Sequence, residues 1–71
     1  MIIVCRWRKA RFGTREQRAE FIDHSRTIDA EGLEVEPFGC ETDVRFRAPA
    51  SLELAIAEMI DAHGGKMMPT P

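Results

Sequence analysis

Residues 5–18 read CRWRKARFGTREQR and join the end of a strand, a turn and the start of a helix. Six of the ten basic residues of the chain lie in this stretch, together with its single tryptophan. Gly13 marks the turn, and Thr14 followed by Gln17 three positions later fits the capping box of a helix N-terminus. We therefore expect a strand to enter this stretch and a helix to leave it over residues 15–27.

Residues 2–8 are predicted to form the first strand, because β-branched side chains open the run and no proline or glycine interrupts it. Side chains alternate between the two faces of a strand. The prediction places Ile3, Cys5 and Trp7 against the core. The even-numbered residues then lie on the outer face: Ile2, Val4, Arg6 and Arg8.

Three further elements complete the predicted order. Residues 32–37 and 42–48 each alternate apolar and charged side chains, which indicates two strands joined as a hairpin. Their inward residues are Leu33, Val35, Val44, Phe46 and Ala48. Residues 51–63 carry apolar side chains at helical spacing, with Ser51 as the expected N-cap. Residues 66–71 are predicted to be a flexible tail, with a very short extra strand as the alternative, so that residues 1–65 form one compact domain.

The order strand, helix, strand, strand, helix resembles the ferredoxin-like split β-α-β fold without its last strand. The resemblance implies an α+β domain with a three-stranded antiparallel sheet and both helices on one face. The third strand would lie in the centre, between the first and the second. The other face of the sheet would be open to solvent.

Length and charge limit the function of the chain. With 71 residues it has little room for an enclosed active site beside a core. No apolar run approaches the roughly 20 residues of a membrane span, so we expect a cytoplasmic protein without membrane contact. The net charge of −2 divides unequally, because residues 1–18 carry +5 and residues 19–71 carry −7. This asymmetry indicates that the N-terminal part of the chain forms a basic surface.

No group of residues has the spacing of an active site or a metal centre, so we predict no enzyme, no metal and no cofactor. Residues 23–25, Asp-His-Ser, are adjacent on a helix and point in different directions, which excludes a hydrolase triad. The cysteines and histidines lack the spacing of zinc ligands: Cys5, Cys40, His24 and His63.

The feature that we connect with function is the basic surface. Outward arginines of the first and third strands would meet on the open face, and the loop into the first helix would extend it. The predicted partner-binding residues are Arg6, Arg8, Lys9, Arg11, Phe12, Arg15, Arg45 and Arg47. Glu34 and Glu36 would lie across from two of these arginines, and such pairs can also serve solubility alone. Phe12 either packs onto the first helix or, if exposed, is an interface anchor.

We interpret the chain as a small non-enzymatic protein-binding module, such as a phage or mobile-element inhibitor of the anti-CRISPR kind. Its partner would be a protein, for example part of a large nucleoprotein complex. The unpaired edge of the first strand, with Ile2 and Val4 exposed, predicts a homodimer that pairs through this edge. In the alternative, the C-terminal residues fold back and cover the edge.

A nucleic-acid-binding regulator that uses the same basic residues is the alternative function. Two features weigh against it. The outward positions of the third strand carry no aromatic side chain on which a base could stack. In addition, Glu34 and Glu36 would repel phosphate. An enzyme or ligand site at a dimer interface is a third hypothesis, and no residue pattern supports it.

Overall fold

The computed structural model describes residues 6–69, which form a small α+β domain with two helices and a four-stranded antiparallel sheet. The strands lie in the order β2-β3-β1-β4. Within this part of the chain, neither helix is long and apolar enough to cross a membrane. The elements are β1 (Arg8–Arg11), α1 (Arg15–Arg26), β2 (Glu34–Pro37), β3 (Asp43–Arg47), a short 3₁₀ turn (Ala50–Leu52), α2 (Glu53–Ala62) and β4 (Lys66–Met67).

The first strand differs from its prediction in both position and orientation. It runs over Arg8–Arg11 and pairs antiparallel with β3. Ala10 is its fully buried residue and lies opposite Val44. Trp7 is therefore on the open face, so its predicted place in the core is wrong. Ile3 and Cys5 lie outside the described residues.

The physical reason for this orientation is Phe12. Its side chain is buried, and its ring centroid lies 5.1 Å from that of Phe21 on α1. Because side chains alternate along a strand, an inward Phe12 requires an inward Ala10 and an outward Arg11. The apolar residue next to the turn into α1 thus decides which face of the strand is buried.

The hairpin of β2 and β3 has the predicted faces, and its glutamates lie across from the arginines as predicted. Glu34 lies opposite Arg47, and Glu36 lies opposite Arg45. The predicted inward residues of β3 are confirmed, since Val44 and Phe46 have no exposed surface. Alternation of apolar and charged residues is sufficient to orient these strands because every inward residue buries apolar area.

The N-terminus of α1 has the predicted capping box. The backbone N–H of Gln17 donates to the Thr14 hydroxyl at 3.1 Å. In return, the Gln17 side-chain oxygen accepts from the backbone N–H of Thr14 at 3.1 Å and of Gly13 at 2.9 Å. These bonds satisfy amide groups that a helix end leaves without partners. They also place α1 directly after β1.

The second helix begins later than predicted, and the prediction of Ser51 as its N-cap is wrong. Residues 50–52 form the 3₁₀ turn, and Leu52 occupies the cap position without a side-chain hydrogen bond. Ile56 and Ile60 are buried, as the helical spacing predicts. One apolar core therefore lies between the helices and the sheet: Ala10, Phe12, Phe21, Ile22, Val44, Phe46, Ala48, Ile56 and Ile60.

The fourth strand corrects both the predicted strand count and the predicted tail. Lys66–Met67 pairs with β1 across from Arg11 and Ala10, so these two residues belong to the sheet. The chain reverses at Gly64, whose φ of 80° suits glycine. Gly65 follows, where a Cβ would meet the ring of Phe12 at 2.7 Å.

Because β4 covers β1 at Ala10 and Arg11, this part of the edge is not open to a second chain. The structure here has the alternative arrangement, in which the C-terminal residues fold back over the first strand. The predicted dimer-edge residues Ile2 and Val4 lie outside the described residues, and so does the end of the tail.

Candidate partner-binding face

The face of the sheet opposite the helices carries charged and aromatic side chains. It is formed by alternate residues of the four strands and the positions that flank them. We define the open face as Trp7, Lys9, Arg11, Glu34, Glu36, Phe38, Asp43, Arg45, Arg47 and Lys66.

Ion pairs between strands orient the arginines of the open face. Arg45 donates through Nε to Glu36, and Arg47 donates through Nε to Glu34. Exposed pairs of this kind contribute about 0–1 kcal/mol to stability. Their main consequence is geometric, because each guanidinium is held at one position above the sheet.

The same arginines stack against aromatic rings. The Arg45 guanidinium carbon lies 4.5 Å from the centre of the Trp7 ring and 5.1 Å from that of Phe38. The Arg47 guanidinium carbon lies 5.0 Å from the Trp7 ring, and the Lys9 ammonium lies 4.7 Å from the Phe38 ring. We term these five residues the cation–π row: Arg47, Trp7, Arg45, Phe38 and Lys9. Each such contact contributes about 0.5–1 kcal/mol at an exposed site.

The terminal nitrogens of Arg45 and Arg47 remain available to a ligand. Within the described residues only the Nε of each arginine donates to a carboxylate. A guanidinium carries five N–H donors in a rigid fork, so each arginine keeps four for an acceptor outside the domain. Stacking and the Nε bond orient these donors before any ligand arrives.

A third ion pair joins the end of β1 to β3. Arg11 donates to both carboxylate oxygens of Asp43, at 2.7 and 3.0 Å. These hydrogen bonds hold the pKa of Asp43 below its usual value, and the same contact raises the pKa of Arg11. Both groups therefore stay charged at neutral pH. The pair fixes the register of β1 on β3 and is unsuited to proton transfer.

The structure brings together four of the predicted partner-binding residues and separates the others. Lys9, Arg11, Arg45 and Arg47 share the open face. Arg6 is exposed just before β1. Arg15 is exposed at the start of α1, where its guanidinium lies 3.6 Å from Glu16 and 4.0 Å from Glu41.

Two of the predicted partner-binding residues are placed differently from the prediction. Phe12 is buried in the core, so it packs onto α1 and is not an exposed anchor. Arg8 shares the side of β1 that faces the helices, where it pairs with Glu53 at the start of α2. The prediction that Arg8 lies beside the arginines of β3 on the open face is wrong.

Trp7, Phe38 and Lys66 lie on this face although the sequence did not predict them there. Trp7 was expected in the core, Phe38 lies in the connection between the two predicted hairpin strands, and Lys66 was expected in the tail. Trp7 lies three positions before Ala10 and five positions before Phe12. Because residues an odd number of positions apart lie on opposite faces of a strand, an inward Ala10 and Phe12 predict an outward Trp7.

Comparison of this chain with protein-family models, with curated proteins and with solved structures found no match.

Proposed function

We propose that this protein is a small non-enzymatic module that binds a protein partner through the open face of its sheet. The cation–π row carries the proposal. Tryptophan and arginine are the side chains that most often dominate the free energy of protein interfaces. In this row they are already stacked and oriented, so little rotamer entropy remains to be lost on binding.

The mixture of charges on the open face favours a protein over a nucleic acid. Glu34, Glu36 and Asp43 lie among the basic residues, and each is paired with an arginine. A protein surface can place carboxylates against the free guanidinium nitrogens and still avoid these three acids. A phosphate backbone is negative along its whole length, so it would be repelled by them.

Nucleic-acid binding is the second candidate, and the position of Trp7 is the observation that favours it. Bases stack on aromatic side chains of an open sheet in several RNA-binding domains. The third strand offers no such side chain, but Trp7 reaches the same face from the neighbouring strand. Titration of single-stranded RNA and DNA, followed by the fluorescence of Trp7 at about 50 mM salt, tests this candidate. Quenching that weakens steeply as salt rises would support it over a protein partner.

We also propose that the fold is ferredoxin-like with its last strand present. The order of the elements and the sheet order β2-β3-β1-β4 support this assignment.

An inhibitor of the anti-CRISPR kind would be one use of such a module. That narrower assignment rests on small size and the lack of catalytic residues, and it stays a prediction.

The proposal is tested by comparing two variants in affinity capture from the native cell. The double variant Arg45→Ala, Arg47→Ala removes the free guanidinium groups. Arg26→Ala is the matched control, since Arg26 is an exposed arginine on α1 whose guanidinium lies 4.0 Å from Asp23. We expect the proteins captured by the wild type to be lost with the double variant and kept with the control. Equal capture by all three chains would contradict the proposal.

A further inference from the structure

Two histidines that are far apart in the sequence meet on the helical side of the domain. His24 lies in the last turn of α1, and His63 caps the C-terminus of α2. The Nδ1 atom of His24 lies 3.0 Å from the Nε2 atom of His63. The ring centroids are 5.3 Å apart and the ring planes are inclined by 66°.

His63 is the fixed member of the pair. Its backbone N–H donates to the carbonyls of Met59 and Ile60, at 3.0 and 3.2 Å. Its ring stands edge-on to the buried ring of Phe21, with 6.1 Å between the centroids. His24 is exposed, so a change in its side-chain torsions would move the ring through solvent and leave the core unchanged. The two rings can therefore adjust to a shared ligand while the helices stay in place.

We infer that these two imidazoles form a bidentate binding site for a divalent transition-metal ion. Imidazole nitrogens bind such ions at about 2.0–2.1 Å. With the nitrogens 3.0 Å apart, the angle at the metal is roughly 91–97°. This angle fits adjacent positions of a square-planar or octahedral ion. A tetrahedral zinc site would need a separation of roughly 3.3–3.4 Å.

The observed separation of the two nitrogens fits Cu²⁺ and Ni²⁺. Both ions prefer square-planar or tetragonal sites with nitrogen ligands, and Cu²⁺ is the strongest binder in the Irving–Williams order. In the described part of the chain, no group of three or more His, Cys, Asp or Glu residues could hold a metal ion. Water therefore completes the coordination, and the site is open and exchangeable.

The proton balance of binding is simple for the neutral pair. In the hydrogen bond, one of the two facing nitrogens carries a proton and the other accepts it. When the metal binds both nitrogens, the donor ring transfers this proton through water to its other nitrogen. Neither imidazole loses a proton overall.

This site is separate from the proposed partner-binding function, because it joins the helices and the open face lies on the other side of the sheet. A bound ion would tie the end of α1 to the end of α2. Because it binds the folded chain, it would also raise the stability of the domain.

Calorimetric titration of the untagged protein with Ni²⁺, in a buffer that does not coordinate metals, tests the inference. We expect one ion per chain. His24→Gln and His63→Gln should each weaken binding by at least about tenfold. Cys40→Ser is the matched control, because Cys40 is an exposed thiol and another potential ligand. This variant should bind like the wild type.

Three results would overturn the inference. The first is the absence of binding at millimolar Ni²⁺. The second is wild-type affinity in either histidine variant, which would place the ion elsewhere. The third is loss of binding in Cys40→Ser. Circular dichroism of each variant confirms that it is folded, and an exposed position such as His24 tolerates glutamine without loss of the core.

Discussion

The two faces of β3 differ completely, although their residues alternate along one strand. Val44 and Phe46 are fully buried beneath the helices. Arg45 lies between these two residues and Arg47 follows them. Both arginines lie on the open face, where each is paired with a glutamate and stacked on Trp7. The first pair stabilises the domain through buried apolar area. The second pair contributes little to stability, and it belongs to the face for which we propose partner binding.

The largest effect is expected on the helical side. Phe46→Ala removes a fully buried ring and should cost about 3–5 kcal/mol in the free energy of unfolding. A domain of this size has a total stability near the lower end of about 5–15 kcal/mol, so the variant should keep only roughly 0–2 kcal/mol of stability. Urea denaturation followed by circular dichroism measures the loss. A loss below about 1.5 kcal/mol would mean that Phe46 is not a core residue.

A smaller loss is expected for the large aromatic residue of the open face. Trp7→Ala removes two cation–π contacts and should cost about 1–2 kcal/mol. It should also weaken partner binding strongly, because tryptophan is a typical anchor residue. Denaturation of this variant beside Phe46→Ala compares the two faces directly. Equal losses for the two variants would place Trp7 in the core and remove the distinction between the faces.

The two helix starts provide the next comparison. Thr14→Ala breaks the capping box of α1 and should cost about 1 kcal/mol. Ser51→Ala is its control, since Ser51 makes no capping hydrogen bond and the change should stay within about 0.5 kcal/mol. Thermal unfolding of both variants measures the difference. A loss for Ser51→Ala as large as that for Thr14→Ala would contradict the assigned start of α2.

The smallest effect is expected for Asp43→Asn, and it should be present at neutral pH and disappear in acid. Arg11 lowers the pKa of Asp43 in the folded state. The carboxylate therefore adds stability above its unfolded pKa of about 3.8, and this stability is lost as the pH falls through the lower folded value. Wild-type stability should decrease as the pH falls below the unfolded pKa of about 3.8, and the asparagine variant should show a shallower decrease.

Unfolding midpoints from pH 7 to pH 2, measured for both chains, check this dependence. The variant Asp23→Asn serves as the control, because Asp23 is an exposed carboxylate with only a distant pair to Arg26. Identical acid dependence in Asp43→Asn and the wild type would contradict the bidentate pair with Arg11.

The sequence predicted the elements whose signals are local. The hairpin followed from alternation over residues 32–37 and 42–48, and the start of α1 followed from Thr14 and Gln17. Each of these signals depends on residues that are close in the chain, and each was confirmed by the structure.

The orientation of β1 could not be predicted from alternation alone, because apolar side chains occur at both odd-numbered and even-numbered positions of this segment. Trp7 belongs to one set, while Ala10 and Phe12 belong to the other. Only the contact between Phe12 and Phe21 of α1 decides between them. The predicted open face therefore had the correct residues of β3 and the wrong residues of β1.

Two other features depend on tertiary contacts. The fourth strand has only two residues, which is too short for alternation to be recognised. The histidine pair joins positions 39 residues apart, so no spacing rule can find it. The sequence therefore predicted the architecture up to its last strand, and both the aromatic part of the open face and the histidine pair required the folded chain.

The most direct test of the central claim is a ¹H–¹⁵N NMR map of the protein bound to its captured partner. The chain has a single tryptophan, so the indole N–H of Trp7 gives one isolated signal. We predict that this signal, and the Nε–H signals of Arg45 and Arg47, shift most on binding. If they stay unmoved while the amide signals of α1 or α2 shift, the partner binds the helical side and the proposed function of the open face is wrong.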